Sequence, residues 1–260
     1  MLSRRMDNSS LISQGTGDPT LVFLHYFSGA AASWQWVTQE LKEDFRCISL
    51  DLPGFGDTPP LAEPTLAEYS NYIWELLSRL GIDRFVLVGH SMGGKIALKV
   101  AADALFAGLE HIILVAPSPA TREPMPEEER DRMLADHHSR QAAETTVEGA
   151  AQATLPQIRH SVAVQTHTKA EDKTWQWWLL EGMKNSIADQ VKKIQVPVTV
   201  LASPDDPVIP FNVIQRDVID LLPNSKLVTI PNVGHLMPLE APDLVAQAIR
   251  QAIARQGQGV

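Results

Sequence analysis

Val86-Leu87-Val88-Gly89-His90-Ser91-Met92-Gly93-Gly94-Lys95-Ile96-Ala97-Leu98 joins an apolar run to a helix-forming run through a short, glycine-rich turn. The run from Phe85 to Val88 has the length and composition of a buried strand, and Lys95 to Ala102 suits a helix. The backbone must therefore reverse within a few residues. A turn this tight leaves no room for side chains two positions either side of its apex, which accounts for Gly89 and Gly93 around Ser91 in the pattern Gly-x-Ser-x-Gly. At such an apex the Ser91 hydroxyl stands clear of the sheet. The amides that open the following helix point at whatever binds there, so Met92 N–H is placed to stabilise a developing negative oxygen. Glycines and serine at a strand end can also make a plain turn; the strand before and the helix after favour a nucleophile.

Outward from this turn the chain alternates strand and helix. Ser9 to Ser13 reads as a short first strand, and Gly15-Thr16-Gly17-Asp18-Pro19 as the turn before Leu21-Val22-Phe23-Leu24. That continuous apolar run, ending in His25, suits a strand covered on both faces, as in parallel sheets. A helix from Ala32 to Leu41, a strand from Phe45 to Leu50 and the Pro/Gly-rich loop Asp51-Leu52-Pro53-Gly54-Phe55-Gly56-Asp57 follow. Thr65 can cap a helix from Leu66 to Leu80, and His111 to Ala116 gives another strand. The alternation predicts βαβ units in an α/β fold with a mostly parallel central sheet flanked by helices.

The rhythm breaks at Pro117. Pro117, Pro119, Pro124 and Pro126 interrupt any regular element, and Glu127 to about Lys184 reads as wholly helical. The β pattern returns with Val196 to Leu201, a helix from Phe211 to Leu222, a strand from Lys226 to Ile230 and a helix from Pro242 to Ala254. The predicted organisation is a core over 1–117 and 189–260 interrupted by a helical cap over 118–188. Open α/β sheets bind ligands beyond the carboxyl ends of their strands, where Ser91 lies, so an insertion emerging there is expected to act as a lid. Its opening stretch, Glu127 to Arg132, reads as a solvated helix face. Near its end Trp175, Trp178, Leu179, Gly182 and Met183 share one helical face, with Trp177 and Leu180 on another. Trp175, Trp177 and Trp178 are candidate pocket residues, although packing alone also explains the pattern.

A serine hydroxyl needs a base to take its proton, and the chain has 8 histidines. His90 adjoins Ser91, but its side chain leaves the turn in the opposite direction. His111 begins a strand at the far end of the sheet, and His137, His138, His160 and His167 lie in the insertion. His235, in Pro231-Asn232-Val233-Gly234-His235 after the last strand, is the candidate base. The imidazole needs a carboxylate to fix its tautomer and stabilise its positive charge. Ser203-Pro204-Asp205-Asp206-Pro207 follows a strand at the same sheet edge; Asp206, four residues before Pro210, is preferred and Asp205 is the alternative. The order Ser91, Asp206, His235 is that of a known triad arrangement.

Composition narrows the partners. A chain of 260 residues with 44% hydrophobic content can bury one large core. The net charge of −9 and the lack of a basic stripe argue against nucleic acid and against a membrane surface. Cys47 is the single cysteine, lies in an apolar run and reads as a packed strand residue, so no internal disulfide is expected. No apolar stretch follows Arg4 and Arg5 as an export signal requires, and none spans the ~20 residues needed to cross a bilayer. A cytoplasmic monomer or homodimer is the expectation.

His25-x-x-x-Gly29, Asp51-Leu52-Pro53-Gly54-Phe55-Gly56, Gly89-His90-Ser91-Met92-Gly93-Gly94, Asp206 and Gly234-His235 together resemble the α/β-hydrolase superfamily, in its cap-bearing branch of small esterases. The resemblance spans nearly all of the chain outside the insertion. It implies a second oxyanion donor at the Phe27 amide. One departure is Tyr26, where the family usually has glycine after the histidine; this alters the loop and lets the ring enter the pocket. The short N-terminus implies fewer than the family's usual eight strands.

The expected chemistry is acyl transfer from a small or medium, largely apolar ester to water, with no cofactor and no metal site. Nothing in the sequence matches a phosphate-binding glycine loop, a zinc-binding His-Glu-x-x-His helix or a cysteine cluster. Lactone, carbon–carbon, thioester or amide cleavage, or lyase and perhydrolase chemistry, would use the same triad, and a non-enzymatic receptor could keep the fold.

Overall fold

In the computed structural model, residues 11–103 and 108–256 are described, so Ser9 and Ser10 of the expected first strand, and Arg4 and Arg5, lie outside them. Seven strands form one sheet: β1 (Leu11–Gln14), β2 (Thr20–Leu24), β3 (Arg46–Leu50), β4 (Phe85–His90), β5 (Leu109–Val115), β6 (Val198–Ala202) and β7 (Ser225–Thr229). Their order is β1-β3-β2-β4-β5-β6-β7, and only β1 runs antiparallel to its neighbour. From β2 the chain winds first to β3 on one side and then crosses to β4 on the other. The carboxyl ends of β2 and β4 therefore flank the point where winding reverses, the usual crevice for a ligand in such sheets.

The strands alternate between two cores, as their period of two requires. Val22, Leu24, Ile48, Leu87, Ile112, Leu114 and Val200 point to one face, and Leu21, Phe23, Cys47, Val86, Val88, Ile113 and Val115 to the other. The first face is covered by α2 (Leu66–Arg79), α3 (Met92–Asp103) and α8 (Ala188–Val191), the second by α1 (Gln35–Leu41) and the helix Pro242–Gln256. Thr65 caps α2, its hydroxyl accepting from Glu68 N–H at 3.1 Å. Cys47 is a buried strand residue with a free thiol.

The segment between β5 and β6 carries α4 (Glu127–Ala135), α5 (Arg140–Ala150), α6 (Gln157–Lys169), α7 (Asp172–Leu180) and α8. It makes a third apolar cluster in which Ala143, Val147, Ala163 and Val164 meet Tyr26, Leu236 and Leu239 of the core. Its tryptophans join the first core instead. Trp177 stacks on Tyr69 of α2 at 5.1 Å, and Trp175 lies 4.4 Å from Phe27. This explains apolar residues on two faces of α7, although Leu180 is left 44% exposed. Among the described residues no helix is long and apolar enough to cross a membrane.

Candidate active site

Ser91 sits at the apex between β4 and α3 with φ +50°, a left-handed conformation that side chains rarely adopt. Its amide donates to the Val115 carbonyl at 3.1 Å, and its own carbonyl accepts from Gly94, Lys95 and Ser118 at 2.8, 3.2 and 3.0 Å. Those bonds hold the strained residue in place. A Cβ on Gly89 would stand 2.5 Å from the Gly93 carbonyl oxygen, and one on Gly93 2.4 Å from that of Leu24. Close approach of backbones, not a positive φ, is what demands these two glycines. Met92 is the first residue of α3, so its amide has no acceptor within the helix.

His235 Nε2 lies 2.9 Å from Ser91 Oγ, and His235 Nδ1 lies 2.8 Å from Asp206 Oδ2. The other carboxylate oxygen of Asp206 accepts from the amides of Val208 and Ile209 at 2.8 and 3.0 Å, which fixes its orientation. Burial opposes the Asp206 charge, but His235 and these two amides outweigh it and hold the carboxyl below its ordinary value. For His235 burial works against the imidazolium, yet Asp206, and beyond it Glu123 and Glu240, push the imidazole above the usual histidine range. Asp205 points elsewhere: its Oδ2 accepts from Asn232 N–H at 2.7 Å, tying the loop after β6 to the loop that carries His235.

The histidine loop is held from two more sides. His90 Nε2–H donates to the His235 carbonyl at 2.8 Å, so His90 holds the His235 loop from behind. The His235 amide donates to Ala150 of the insertion at 2.8 Å, and a Cβ on Gly234 would come within 2.5 Å of Gln152 N. Gly234 is thus required by contact with the insertion. Glu240 Oε2 joins the same point, accepting from Gly234 and Gln152 at 3.0 and 2.9 Å.

After β2, His25 Nδ1–H donates to the Tyr26 carbonyl at 2.7 Å while its Nε2 accepts from Leu52 N–H at 3.1 Å. Burial keeps this ring neutral, its pKa lowered to about 4. The Asp51 carboxylate accepts from Ala31 N–H at 2.7 Å, so the loops after β2 and β3 brace each other. Tyr26 takes the place of a glycine because Gly29 makes room for it: a Cβ at Gly29 would meet the Tyr26 ring at 2.8 Å. The ring lies 5.1 Å from His90.

Above Ser91 and His235 lies a cavity of about 520 Å³ lined by residues of the core and of the insertion. Tyr26, Phe27, Ser91, Trp178 and His235 line it. Trp175 and Trp177, also expected at the pocket, are not on its wall. Trp175 is spent behind Phe27, its Nε1–H donating to the Met133 carbonyl at 2.9 Å, and Trp177 is taken up by Tyr69. A second correction concerns α4, which is not wholly a solvated face. Glu129 and Arg132 line the cavity, paired through Arg132 Nε and Glu129 Oε2 at 2.8 Å, with Thr146 beside them.

Glu123 also lines the cavity, and no pattern in the sequence marks it. It lies in the proline-rich stretch before α4, where no periodicity indicates what is buried. Among the described residues, one group could hold a metal ion, His137, His138 and Asp172, whose ligand atoms lie within 4.8 Å of one another. It is on the insertion, with the His137 ring stacked on Trp175 at 4.0 Å.

Comparison with known proteins agrees with this fold. A family model described as "Alpha/beta hydrolase family" matches residues 21–248. A thermophilic esterase from Thermogutta terrifontis superposes with a TM-score of 0.79 at 26% identity, covering 95% of this chain and 93% of that one. A 2-succinyl-6-hydroxy-2,4-cyclohexadiene-1-carboxylate synthase from Serratia proteamaculans is 25% identical over 96% of this chain and 99% of its own. Similarity to the dihydrolipoyllysine-residue acetyltransferase component of the acetoin cleaving system of Cupriavidus necator reaches 37%, but spans 35% of this chain and 25% of that protein.

Proposed function

The chain belongs to the alpha/beta hydrolase family, and from that premise we propose that it is a serine hydrolase cleaving small to medium, largely apolar carboxylic esters. The observation that carries the reading is the unbroken relay from Asp206 through His235 to Ser91, opening beneath the cavity. Ser91 Oγ attacks the ester carbonyl carbon as its proton passes to His235 Nε2, and Asp206 stabilises the imidazolium through Nδ1–H. The Met92 and Phe27 amides hold the oxyanion. Collapse of the tetrahedral intermediate expels the alcohol, which takes the proton from His235 and leaves an acyl group on Ser91. Water, deprotonated by His235, attacks that acyl group; the bond from Ser91 Oγ to the acyl carbon breaks, Oγ takes the proton back from His235, and the acid leaves.

The substrate class follows from the walls. Tyr26, Phe27, Met125, Met133, Val147 and Trp178 supply apolar surface, and the volume suits a small ligand. Arg132 is already occupied by Glu129 and Thr146, and Glu123 and Glu129 add acidic groups to the wall. A substrate carboxylate, such as the name of the Serratia synthase describes, would meet net repulsion here. Neutral esters are therefore favoured. Hydrolysis of p-nitrophenyl esters from acetyl to decanoyl tests the reading. A short-to-medium optimum, lost in Ser91→Ala with the fold intact, is expected; absence of turnover across the series, or its survival in Ser91→Ala, would refute it.

A further inference from the structure

His235 is held in place by its backbone as well as by its ring. In the loop after β7, the amides of Asn232, Gly234 and His235 each donate to a group outside that loop. Asn232 donates to Asp205 Oδ2 at 2.7 Å, Gly234 to Glu240 Oε2 at 3.0 Å and His235 to the Ala150 carbonyl at 2.8 Å. The last two lead into the insertion.

Glu240 closes the short helix Met237–Glu240, whose single turn brings its side chain back to Gly234, six residues earlier. The same Oε2 accepts from Gln152 N–H at 2.9 Å and Ala153 N–H at 3.4 Å, successive amides in the link between α5 and α6. Successive amides aimed at one point make an anion-binding concavity, and bonds to an ionised acceptor are roughly twice as strong as neutral ones. One oxygen thus ties together segments 88 residues apart in the chain.

The ring of contacts is closed and tight. Ala150, at the end of α5, holds the His235 amide, and a Cβ on Gly234 would stand 2.5 Å from Gln152 N and 2.8 Å from the Ala150 carbonyl oxygen. A displacement of the link is therefore passed on to His235. Other contacts keep the insertion seated without Glu240: Arg159 Nη1–H donates to the Leu239 carbonyl at 2.9 Å, and Leu236 and Leu239 pack with Ala143, Val147, Ala163 and Val164. Removing the carboxylate leaves that packing in place and takes the acceptor from three amides.

Glu240 also acts through its charge. Burial works against the His235 imidazolium, Asp206 outweighs it, and Glu123 and Glu240 add to the rise, while the His90 ring 5.3 Å away is buried and neutral.

We propose that Glu240 is a positioning residue for the reaction: its carboxylate locks the link between α5 and α6 onto the loop of His235 and so sets the imidazole against Ser91. That side of the insertion thereby belongs to the catalytic frame. The role rests on the serine-hydrolase reading above.

The test compares wild type, Glu240→Ala and Glu240→Gln on p-nitrophenyl butyrate for kcat, KM and pH profile, alongside thermal unfolding and the rate at which a fluorophosphonate labels Ser91. A catalytic group misplaced by about 1 Å can cost ~100-fold, so Glu240→Ala is expected to lose about that much in kcat and in labelling rate. KM should change by less than about 3-fold, because Glu240 is not on the cavity wall. Glu240→Gln keeps an acceptor oxygen for the same amides and should recover to within about 10-fold of wild type. In both variants the fall of activity on acidification should move to lower pH, since a charge that favours the imidazolium is gone.

A lowered unfolding temperature with wild-type kcat and an unmoved pH profile would mean a structural role only and overturns the proposal. Should Glu240→Ala fail to fold, Glu240→Gln decides alone: a lowered kcat with the acid limb displaced supports the role, and wild-type values of both overturn it. In either case an active wild type leaves the esterase reading standing. A wild type that neither turns over the ester nor takes the label on Ser91 overturns both.

Discussion

Gly93→Ala is predicted to damage catalysis more than stability. The added Cβ would stand 2.4 Å from the Leu24 carbonyl oxygen and 2.5 Å from that of His25. Ordinary contact begins near 3.4 Å, so turn and strand end must part by about 1 Å. Both clashing atoms are backbone and cannot rotate away. One side of that gap carries Ser91 and the Met92 amide; the other leads through His25 and Tyr26 into Phe27. Overfilling a packed site costs ~1–3 kcal/mol, whereas a misplacement of about 1 Å in a catalytic constellation can cost ~100-fold in rate. Thermal unfolding and kcat on a short p-nitrophenyl ester measure the two effects separately. Gly149→Ala in α5, where a Cβ meets nothing within 4 Å, should instead gain up to ~1 kcal/mol in stability. A Gly93→Ala variant with wild-type kcat would refute the claim that the turn and the end of β2 are held in register by this contact.

Asp206→Asn should lower kcat by about 10⁴-fold and Asp205→Asn by less than ~10-fold, because only the former touches His235. The His235 pKa is raised, so kcat/KM should fall as pH drops through a value above the ordinary 6.5, and residual activity of Asp206→Asn should fall at lower pH. His25, His90 and His167 are buried neutral with pKa values lowered to about 4, 3 and 4. Below 6.5 the unfolded chain takes up their protons and the folded chain does not, so stability is lost as pH falls towards 4. Together the three contribute a slope of about 4 kcal/mol per pH unit, which urea midpoints at pH 7 and pH 5 would reveal. An unchanged midpoint would contradict it. Trp177→Ala should cost ~3–5 kcal/mol through lost packing on Tyr69, whereas Trp178→Ala should also move the ester chain-length optimum upward.

The fold was legible because strand and helix runs alternate with sharp punctuation, and because the turn at Ser91 leaves steric traces in Gly89 and Gly93. Asp206 over Asp205 could be favoured from spacing, but only coordinates show that Asp205 is occupied by Asn232. The tryptophans of α7 show where a linear pattern stops informing. Helical spacing identifies buried faces, but which faces the cavity depends on Tyr69 and Phe27, distant in the chain. Glu129 and Arg132 look like surface charges in sequence, since an i,i+3 ion pair is the same on a solvated helix as on a cavity wall. Glu123 gave no sign at all, lying among prolines where burial follows from tertiary contacts alone.

The central claim is that Ser91 is a nucleophile activated by His235. Incubation with a fluorophosphonate, followed by intact-mass and peptide analysis, tests it without knowledge of the natural substrate. One phosphonyl group per chain on the peptide containing Ser91, with labelling slowed by several powers of ten in His235→Ala, is the predicted result. A chain that stays unlabelled, or one labelled as fast without the imidazole, would contradict it.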